Sequence, residues 1–557
     1  MLASRRRALV FAVNLGSFIT ILDISIVNVA LPTMQAALRI DMAGLQWVVD
    51  AYALFLSAFM LSAGPLGDRY GRKRSWLAGV VLFTIGSAFC GLADNLPLLL
   101  AGRAVQGVAG ALLIPGAMSL LTQAFPDPAE RARAIGLWAS CNAISLIVGP
   151  MLGGLLVAHF SWQSIFLINL PVGALAIALG AWGIQESAHP EHAAFDPAGQ
   201  ALSVVWLGAL TYGLITAGEH GWQAPATIAA LAVAAIGLIA FLWVEHTVAR
   251  PILPLGLFRD AGFASTNFAS FVMGFGAYSS LFFFSLYLQH VRGLSPLEAG
   301  WQLAPQFVAT GIVSTVFGRL NPRFGLPRLM IAGYGMVGAA MLGMMSFDAH
   351  TPYALSGSLM VLLGLGMGLA VPATSMAVMA TVPRERSGMA SATMNALRQT
   401  GMTIGIALLG ALMSGRAVDH LAAALARLGQ ADARAVARVA VTQHALPAQP
   451  DGVAALFANA LADGFHAAMA GAGVASLLAA LLLLWVTRGA AGAAGRVGDR
   501  RAHRRGDAGR HRANRRRVDP TTLRGPRGEP PKPGRDAQFQ GAEFQRPESN
   551  SRVFKQA

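Results

Sequence analysis

Four ionisable residues stand inside long apolar stretches of this chain: Asp23, Asp50, Arg103 and Arg398. A bilayer core solvates charge poorly, so a group of this kind is a functional candidate unless it only pairs with a neighbour. Asp23 lies nine residues before Pro32, a depth of roughly 13 Å at 1.5 Å per residue, and Asp50 and Arg103 lie roughly 9 Å in from the same side. Two acids and a cation at similar depth suit proton transfer. A carboxylate that loses water holds its proton more tightly and an arriving Arg weakens that hold, so alternating exposure loads and releases a proton. The competing reading is a static ion pair that fixes helix packing. Arg398 has no carboxylate deep in the spans around it. It would meet backbone carbonyls, a distant acid or an anionic substrate group, and structural and functional roles both stay open.

A second group of residues suits movement rather than chemistry. Gly67, Asp68, Arg69, Gly71, Arg72, Lys73 and Arg74 form a loop in which Asp68 would meet a helix N-terminus or a neighbouring cation, a contact that forms in one gate state and breaks in another. Gly149, Pro150, Gly153 and Gly154 allow close helix approach and a bend, with packing alone as the plainer reading. Three apparent motifs are set aside. Gly364, Gly366 and Gly368 sit where no strand can precede them, so they are packing glycines rather than a dinucleotide fingerprint. His189, Glu191 and His192 lack a fourth ligand. No Gly-Lys-Ser/Thr phosphate loop appears, so neither ATP nor another cofactor is expected.

The elements that position these residues follow from composition. Of 557 residues 55% are hydrophobic and only 12% charged, with mean hydropathy +0.53, against about a quarter charged in soluble domains. Apolar runs of bilayer-spanning length recur about fourteen times. They begin with 8–31, which is too long for a signal peptide, and end with 464–487; among them are 164–184, 262–289, 296–318 and 388–413. Cys90 and Cys141 both lie in such runs, so no disulfide framework is expected. Lys and Arg gather in alternate loops, at 69–74, 131–133, Arg250, 319–328 and 384–386, which places both termini in the cytoplasm.

A faint internal repeat divides the chain. The 67–72 sequence after span two is echoed by Gly318-Arg319 to Phe324-Gly325 after span ten, and Gly149 and Gly153 by Gly401 and Gly405. The expected architecture is all-α and polytopic: a six-helix half over 1–184, two inserted helices over 185–261, and a second six-helix half over 262–487 with a long outer loop at 415–462. Parallel halves of this kind place a substrate between them near mid-membrane. The net charge of +15 is concentrated after Arg488, where 17 Lys and Arg face 7 Asp and Glu. That segment, 488–557, has almost no aromatics and is read as a disordered cytoplasmic extension, with attraction to lipid as the functional alternative and no nucleic-acid partner.

The motifs resemble those of the major facilitator superfamily, and specifically its fourteen-helix EmrB/QacA-type drug:proton antiporters, over about residues 8–487. The carriers are Leu22-Asp23-Ile24-Ser25-Ile26-Val27-Asn28 through Pro32, Gln46-Trp47-Val48-Val49-Asp50, Gly67 to Lys73, Arg103 with Gln106-Gly107, Gly149 to Gly154 and Arg398-Gln399-Thr400-Gly401. Ser25, Ser145, Gln163 and Ser164 depart from the usual pattern. The resemblance implies export of a hydrophobic or amphipathic compound across a bacterial inner membrane, powered by a proton gradient, with Asp23 as leading proton carrier, Asp50 and Arg103 assisting, and Asn28, Gln106 and Arg398 in substrate or structural roles. Trp138, Phe275 and Phe283 are candidate lining residues. A dedicated exporter of an endogenous metabolite or siderophore would share every motif; a non-transporting sensor or scaffold is the rival from another class, and an intramembrane enzyme is disfavoured because no nucleophile–base pair is visible. The amphipathic pattern in 415–462 suits either a cap over the outer mouth or a seat for a periplasmic adaptor protein.

Overall fold

The computed structural model of the chain describes residues 3–188, 196–248, 251–253, 255–382, 387–443 and 453–515. His189, Glu191, His192, Arg250, Arg384, Arg386, Pro447, Pro450 and the tail from 516 on lie outside the described residues. All regular structure among the described residues is helical. The chain divides into two compact units, Met1–Ala491 and Gly492–Ala557, and the membrane body is the first.

Its first six spans are α1 (Ala3–Leu38), α2 (Met42–Tyr70), α3 (Arg72–Gly91), α4 (Leu96–Ala124), α5 (Pro128–His159) and a sixth broken at Ile168 into α6 (Ser164–Leu167) and α7 (Asn169–Gly183). The inserted pair is α8 (Pro197–His220) and α9 (Pro225–Thr247). The second half opens with α10 (Ala261–Met273) and α11 (Ser280–Leu286), one span joined by a π-helical turn at Gly274–Tyr278 and ended by another at Tyr287–Val291. It continues through α12 (Pro296–Phe324), α13 (Leu326–Gly343), α14 (Tyr353–Ala380), α15 (Ser387–Arg427), α16 (Ala433–Gln443) and α17 (Val453–Arg515).

Thirteen helices among the described residues are long and apolar enough to cross a membrane. The fourteenth expected span, 296–318, exists as the 29-residue helix α12, but Glu298, Gln302, Gln306, Arg319 and Arg323 keep it out of that set. Elsewhere Ile236, Ile239, Trp243, Leu481 and Trp485 are largely exposed, a surface only a bilayer would cover.

The amphipathic pattern of the 415–462 segment is present as helix over its described residues: α15 runs on to Arg427, and α16 lays Ala437, Ala440 and Val441 into the core beside Leu421 and Leu425. In the second unit the backbone stays helical to Arg515 where a disordered tail was expected, consistent with its many Ala and Arg, both good helix formers.

The sequence repeat is present as a repeat of contacts. Gly149 and Gly153 of α5 lie against Ser25 and Ile26 of α1, while Gly401 and Gly405 of α15 lie against the Phe271 and Phe275 carbonyls of the span carrying α10. The halves meet along two seams, α2 with α15 and α5 with α12. If span two matches span ten and span five matches span thirteen, each seam is the image of the other, as an axis along the membrane normal requires. The inserted α8 packs on the α2–α15 seam, and α9 packs on α8.

The seams differ along their length. At the end of the bundle away from the N-terminus, Gly300 of α12 touches the Pro150 carbonyl, and a Cβ on Gly154 would lie 2.7 Å from the Pro296 carbonyl. There Gln289 also donates to the Val29 carbonyl at 3.0 Å, Gln46 to the Ile406 carbonyl at 3.2 Å, and Ser285 to the Asn28 carbonyl. Towards the N-terminal end, no described residue between 135 and 142 of α5 or between 311 and 316 of α12 is buried. A helix packed on protein along one face would bury that side, so α5 and α12 pack less closely here than at the far end, while α2 and α15 stay joined at Ser57 and Thr400.

The expected 67–74 loop is nearly all helix: Gly67, Asp68 and Arg69 close α2, and Gly71 alone turns the chain at φ +105°, with Gly325 at φ +80° making the matching turn between α12 and α13. A Cβ on Gly71 would enter a left-handed conformation that L-residues disfavour and would stand 2.6 Å from the Glu186 carboxyl. Gly71→Ala is expected to lower stability by about 1–2 kcal/mol, read as a lower thermal midpoint in detergent. Gly136→Ala, in open helix surroundings, should leave that midpoint unchanged or raise it; equal behaviour of the two variants would refute the account of the turn.

Candidate functional site

Three helices bring the strongest candidates together. Asp23 of α1 and Arg103 and Gln106 of α4 are completely buried, each on a helix face turned into the first half. Arg103 Nη1 donates to Asp23 Oδ2 and, at 2.9 Å, to Gln106 Oε1, while its Nε donates to the Val48 carbonyl of α2 at 2.9 Å. Gln106 Nε2 donates to Asp23 Oδ1 at 3.2 Å and to Ser87 Oγ of α3 at 2.8 Å. The guanidinium lies 4.5 Å from the ring centroid of Tyr52 and 5.9 Å from that of Phe166. Both Asp23 oxygens are thus occupied. Such a pair lets two charges share one low-dielectric site, since each supplies what water would otherwise supply.

Glycines permit the approach. Gly107 and Gly110 bring α4 onto the Tyr52 backbone and hydroxyl, and Gly86 and Gly102 bring α3 onto α4 beside Gln106 and Cys90. Asn169 donates to Ser87 Oγ at 3.2 Å, and the Cys90 thiol donates to Gln106 Oε1 at 3.6 Å. Sequence reading missed Ser87, Asn169 and Tyr52 as members of this network. Polar residues at helical spacing in otherwise apolar spans were the available signal, but only packing shows that they converge.

Asp50 does not join the group. It is fully buried on α2 one turn beyond Gln46, and neither carboxyl oxygen has a hydrogen-bond partner among the described residues. Gln46 and Ser57 both bond to α15, the latter to the Ala396 carbonyl at 3.2 Å and to Thr400 Oγ1 at 2.6 Å. Asp50, at helical spacing between them, belongs to the inter-half seam. Equal depth along two helices does not mean contact.

The other candidates fall in separate places. Asn28 donates to the Ile24 carbonyl at 2.9 Å and its own carbonyl meets Ser285, so it is part of the far-end closure. Gly149, Pro150, Gly153 and Gly154 line the contacts of α5 with α1 and α12. At the Gly71 turn Asp68 pairs with Arg72 at 2.7 Å, whereas the N-terminus of α3 is capped by Glu186, which accepts from the backbone N–H groups of Lys73 and Arg74 at 3.0 and 3.2 Å. Glu186 was not singled out from sequence, although an acid just after span six faces an uncapped helix start. Arg69 lies over the Tyr70 ring at 5.4 Å. Arg398 donates to Asn395 Oδ1 and lies 5.4 Å from the Tyr278 ring centroid. Phe275 is partly exposed and Trp138 donates to Ser17 Oγ at 2.7 Å, but Phe283 is wholly buried and lines nothing. Gly364, Gly366 and Gly368 pack α14 against α12 and α13.

Comparison with known proteins places this geometry in context. Residues 13–406 match the Major Facilitator Superfamily. The multidrug resistance protein Stp of Mycobacterium tuberculosis is 40% identical over 403 residues, 72% of this chain and 75% of its own length. The tetracenomycin C resistance and export protein of Streptomyces glaucescens is 33% identical over 490 residues, 86% of this chain and 91% of its own. The crystal structure of an auto-inhibited POT family peptide transporter shares the fold, with TM-score 0.61 at 14% identity over 86% of this chain and 97% of that one.

The buried pair yields a stability test. Arg103→Met leaves Asp23 without its cation and is expected to cost about 3–5 kcal/mol, while Asp23→Leu combined with Arg103→Met should recover most of the loss because both charges are gone. Thermal unfolding of the detergent-purified proteins reads the cycle. Strictly additive losses would mean that the two side chains do not act as a pair.

Proposed function

The chain belongs to the Major Facilitator Superfamily, and from that premise we propose that it exports hydrophobic or amphipathic drugs and toxic compounds across the bacterial inner membrane in exchange for protons. The observation that carries this reading is the Asp23–Arg103–Gln106 cluster, buried in one half of the bundle. Relatives named for multidrug resistance and for export support the cargo class. The inserted α8 and α9, together with the 29-residue α12 beside the thirteen apolar spans, favour the fourteen-helix EmrB/QacA-type arrangement.

The two halves rock about the α2–α15 and α5–α12 seams. With the far end closed and the basic, N-terminal end facing the cytoplasm by the positive-inside rule, cargo enters between the halves from the cytoplasm or the inner leaflet. Parting the far-end contacts admits water towards α1 and α4, where Asp23 takes a proton and releases Arg103; closure and return to the inner side restore the ion pair and expel the proton. Each 100 mV of membrane potential contributes about 2.3 kcal/mol per charge moved, enough to drive accumulation. Asp50, on the seam, is a second acid whose surroundings change with every opening. The buried apolar face of α16 favours a cap over the outer mouth rather than an adaptor seat.

Asp23→Asn preserves the shape and hydrogen bonds of the site but cannot titrate. In proteoliposomes with an imposed pH gradient it is expected to abolish uphill export while downhill exchange of the same compound persists. Wild-type drug/proton exchange by the variant would remove Asp23 from the coupling. For the cap, replacing 420–448 with a short Gly/Ser linker should lower transport equally in proteoliposomes and in whole cells; a loss confined to cells would favour the adaptor.

A further inference from the structure

Arg398 is the cation that the mechanism above leaves unused. It lies within α15; of the spans packed on that helix, 261–291 and 353–380 contain no Asp or Glu while α2 contains Asp50, and no carboxylate meets Arg398 among the described residues. Its partners are neutral: the Asn395 side-chain carbonyl and the face of Tyr278. Tyr334, whose hydroxyl meets Thr374 Oγ1 at 3.2 Å, stands in its electrostatic field. Arg398, Asn395 and Tyr278 are all partly exposed although their helices are otherwise packed inside the second half. A guanidinium has five N–H donors in a planar fork, and one amide oxygen with one ring face leaves most of that fork unanswered.

The surroundings are built rather than incidental. Gly274 allows the Arg398 carbonyl to touch the span carrying α10, and Gly401 allows that span's Phe271 carbonyl to touch α15. The span adopts a π-helical turn at this contact, Gly274–Tyr278, a distortion that recurs at functional sites. The turn continues a ladder of parallel rings: Phe268 to Phe271 at 6.4 Å and 19°, and Phe271 to Phe275 at 6.3 Å and 17°. Phe271 and Phe275 are partly exposed beside Tyr278. An apolar, flat-faced strip therefore ends in a cation without a counter-charge.

Resting on the export reading, we infer that Arg398 with the Phe271–Phe275–Tyr278 face is a substrate subsite that selects amphipathic compounds carrying an aromatic body and an anionic head, such as a carboxylate or phenolate. The rings receive the body by stacking and the guanidinium pairs bidentately with the head. This separates the duties of the halves: the first carries the proton pair, the second the charge that recognises cargo.

The test compares two ligands of nearly equal shape, 1-naphthaleneacetate and its neutral amide, 1-naphthaleneacetamide, by calorimetric titration of the detergent-purified full chain. Wild type should bind the anion at least about tenfold more tightly than the amide. Arg398→Gln should bring that ratio close to one with amide affinity little changed, Arg398→Lys should give an intermediate ratio because it keeps the charge without the fork, and Phe275→Ala should weaken both ligands together. Equal wild-type affinities, an unchanged ratio in folded Arg398→Gln, or parallel loss of both ligands in that variant would each overturn the subsite. Because binding is read apart from transport, a protein that exports nothing would overturn the export reading and leave this comparison to judge Arg398 by itself.

Discussion

A hydrocarbon core offers charge no water, and the structure is organised around that constraint. Arg103 cannot stand in α4 without acceptors on three sides, and it finds them in Asp23 of α1, Gln106 one turn along its own helix and the Val48 carbonyl of α2. Four helices are tied by this one side chain and its partners once Ser87 of α3 is counted. On the proposed exchange mechanism, water reaching Asp23 would weaken the reason for the ion pair to hold, which would link access to protonation.

Small residues make the charge network possible. A buried ion pair between helices requires backbones closer than ordinary side chains permit, and Gly86, Gly102, Gly107 and Gly110 surround the Arg103 cluster for that reason. Gly149 and Gly153 repeat the device between α5 and α1, and Gly401 and Gly405 repeat it between α15 and the span carrying α10. Between the halves, Gly154 and Gly300 join α5 to α12, Gly311 meets Ile147 further along the same seam, and Gly410 meets Gln46 on the other.

The asymmetry between the halves is chemical rather than architectural. Asp23 and Arg103 satisfy one another in the first half, whereas Arg398 in the second meets an amide and a ring and no carboxylate among the described residues. Asp50 is the converse case: an acid without a hydrogen-bond partner among the described residues, placed where the first half meets the second. Ionisable groups left incomplete inside a membrane bundle are functional candidates by default.

Hydropathy, the spacing of charge and the pairing of glycines were legible in the amino-acid sequence, because period and length act locally: the all-helical bundle, the expected halves and inserted pair, and Asp23 and Arg103 as charges inside apolar spans follow from them, whereas Gln106 entered only through resemblance to a family motif. Depth along a helix is also local, which is why Asp50 and Arg103 looked like partners. Direction around the helix axis decides whether they meet, and that depends on how α1, α2, α4 and α15 rotate against one another. Tertiary packing alone placed Arg103 on Asp23 and Asp50 on the seam, turned Phe283 inward, recruited Ser87 and Asn169, and gave the α3 N-terminus to Glu186. Each of these joins residues far apart in the chain, and no local property of the sequence encodes a distance across the bundle.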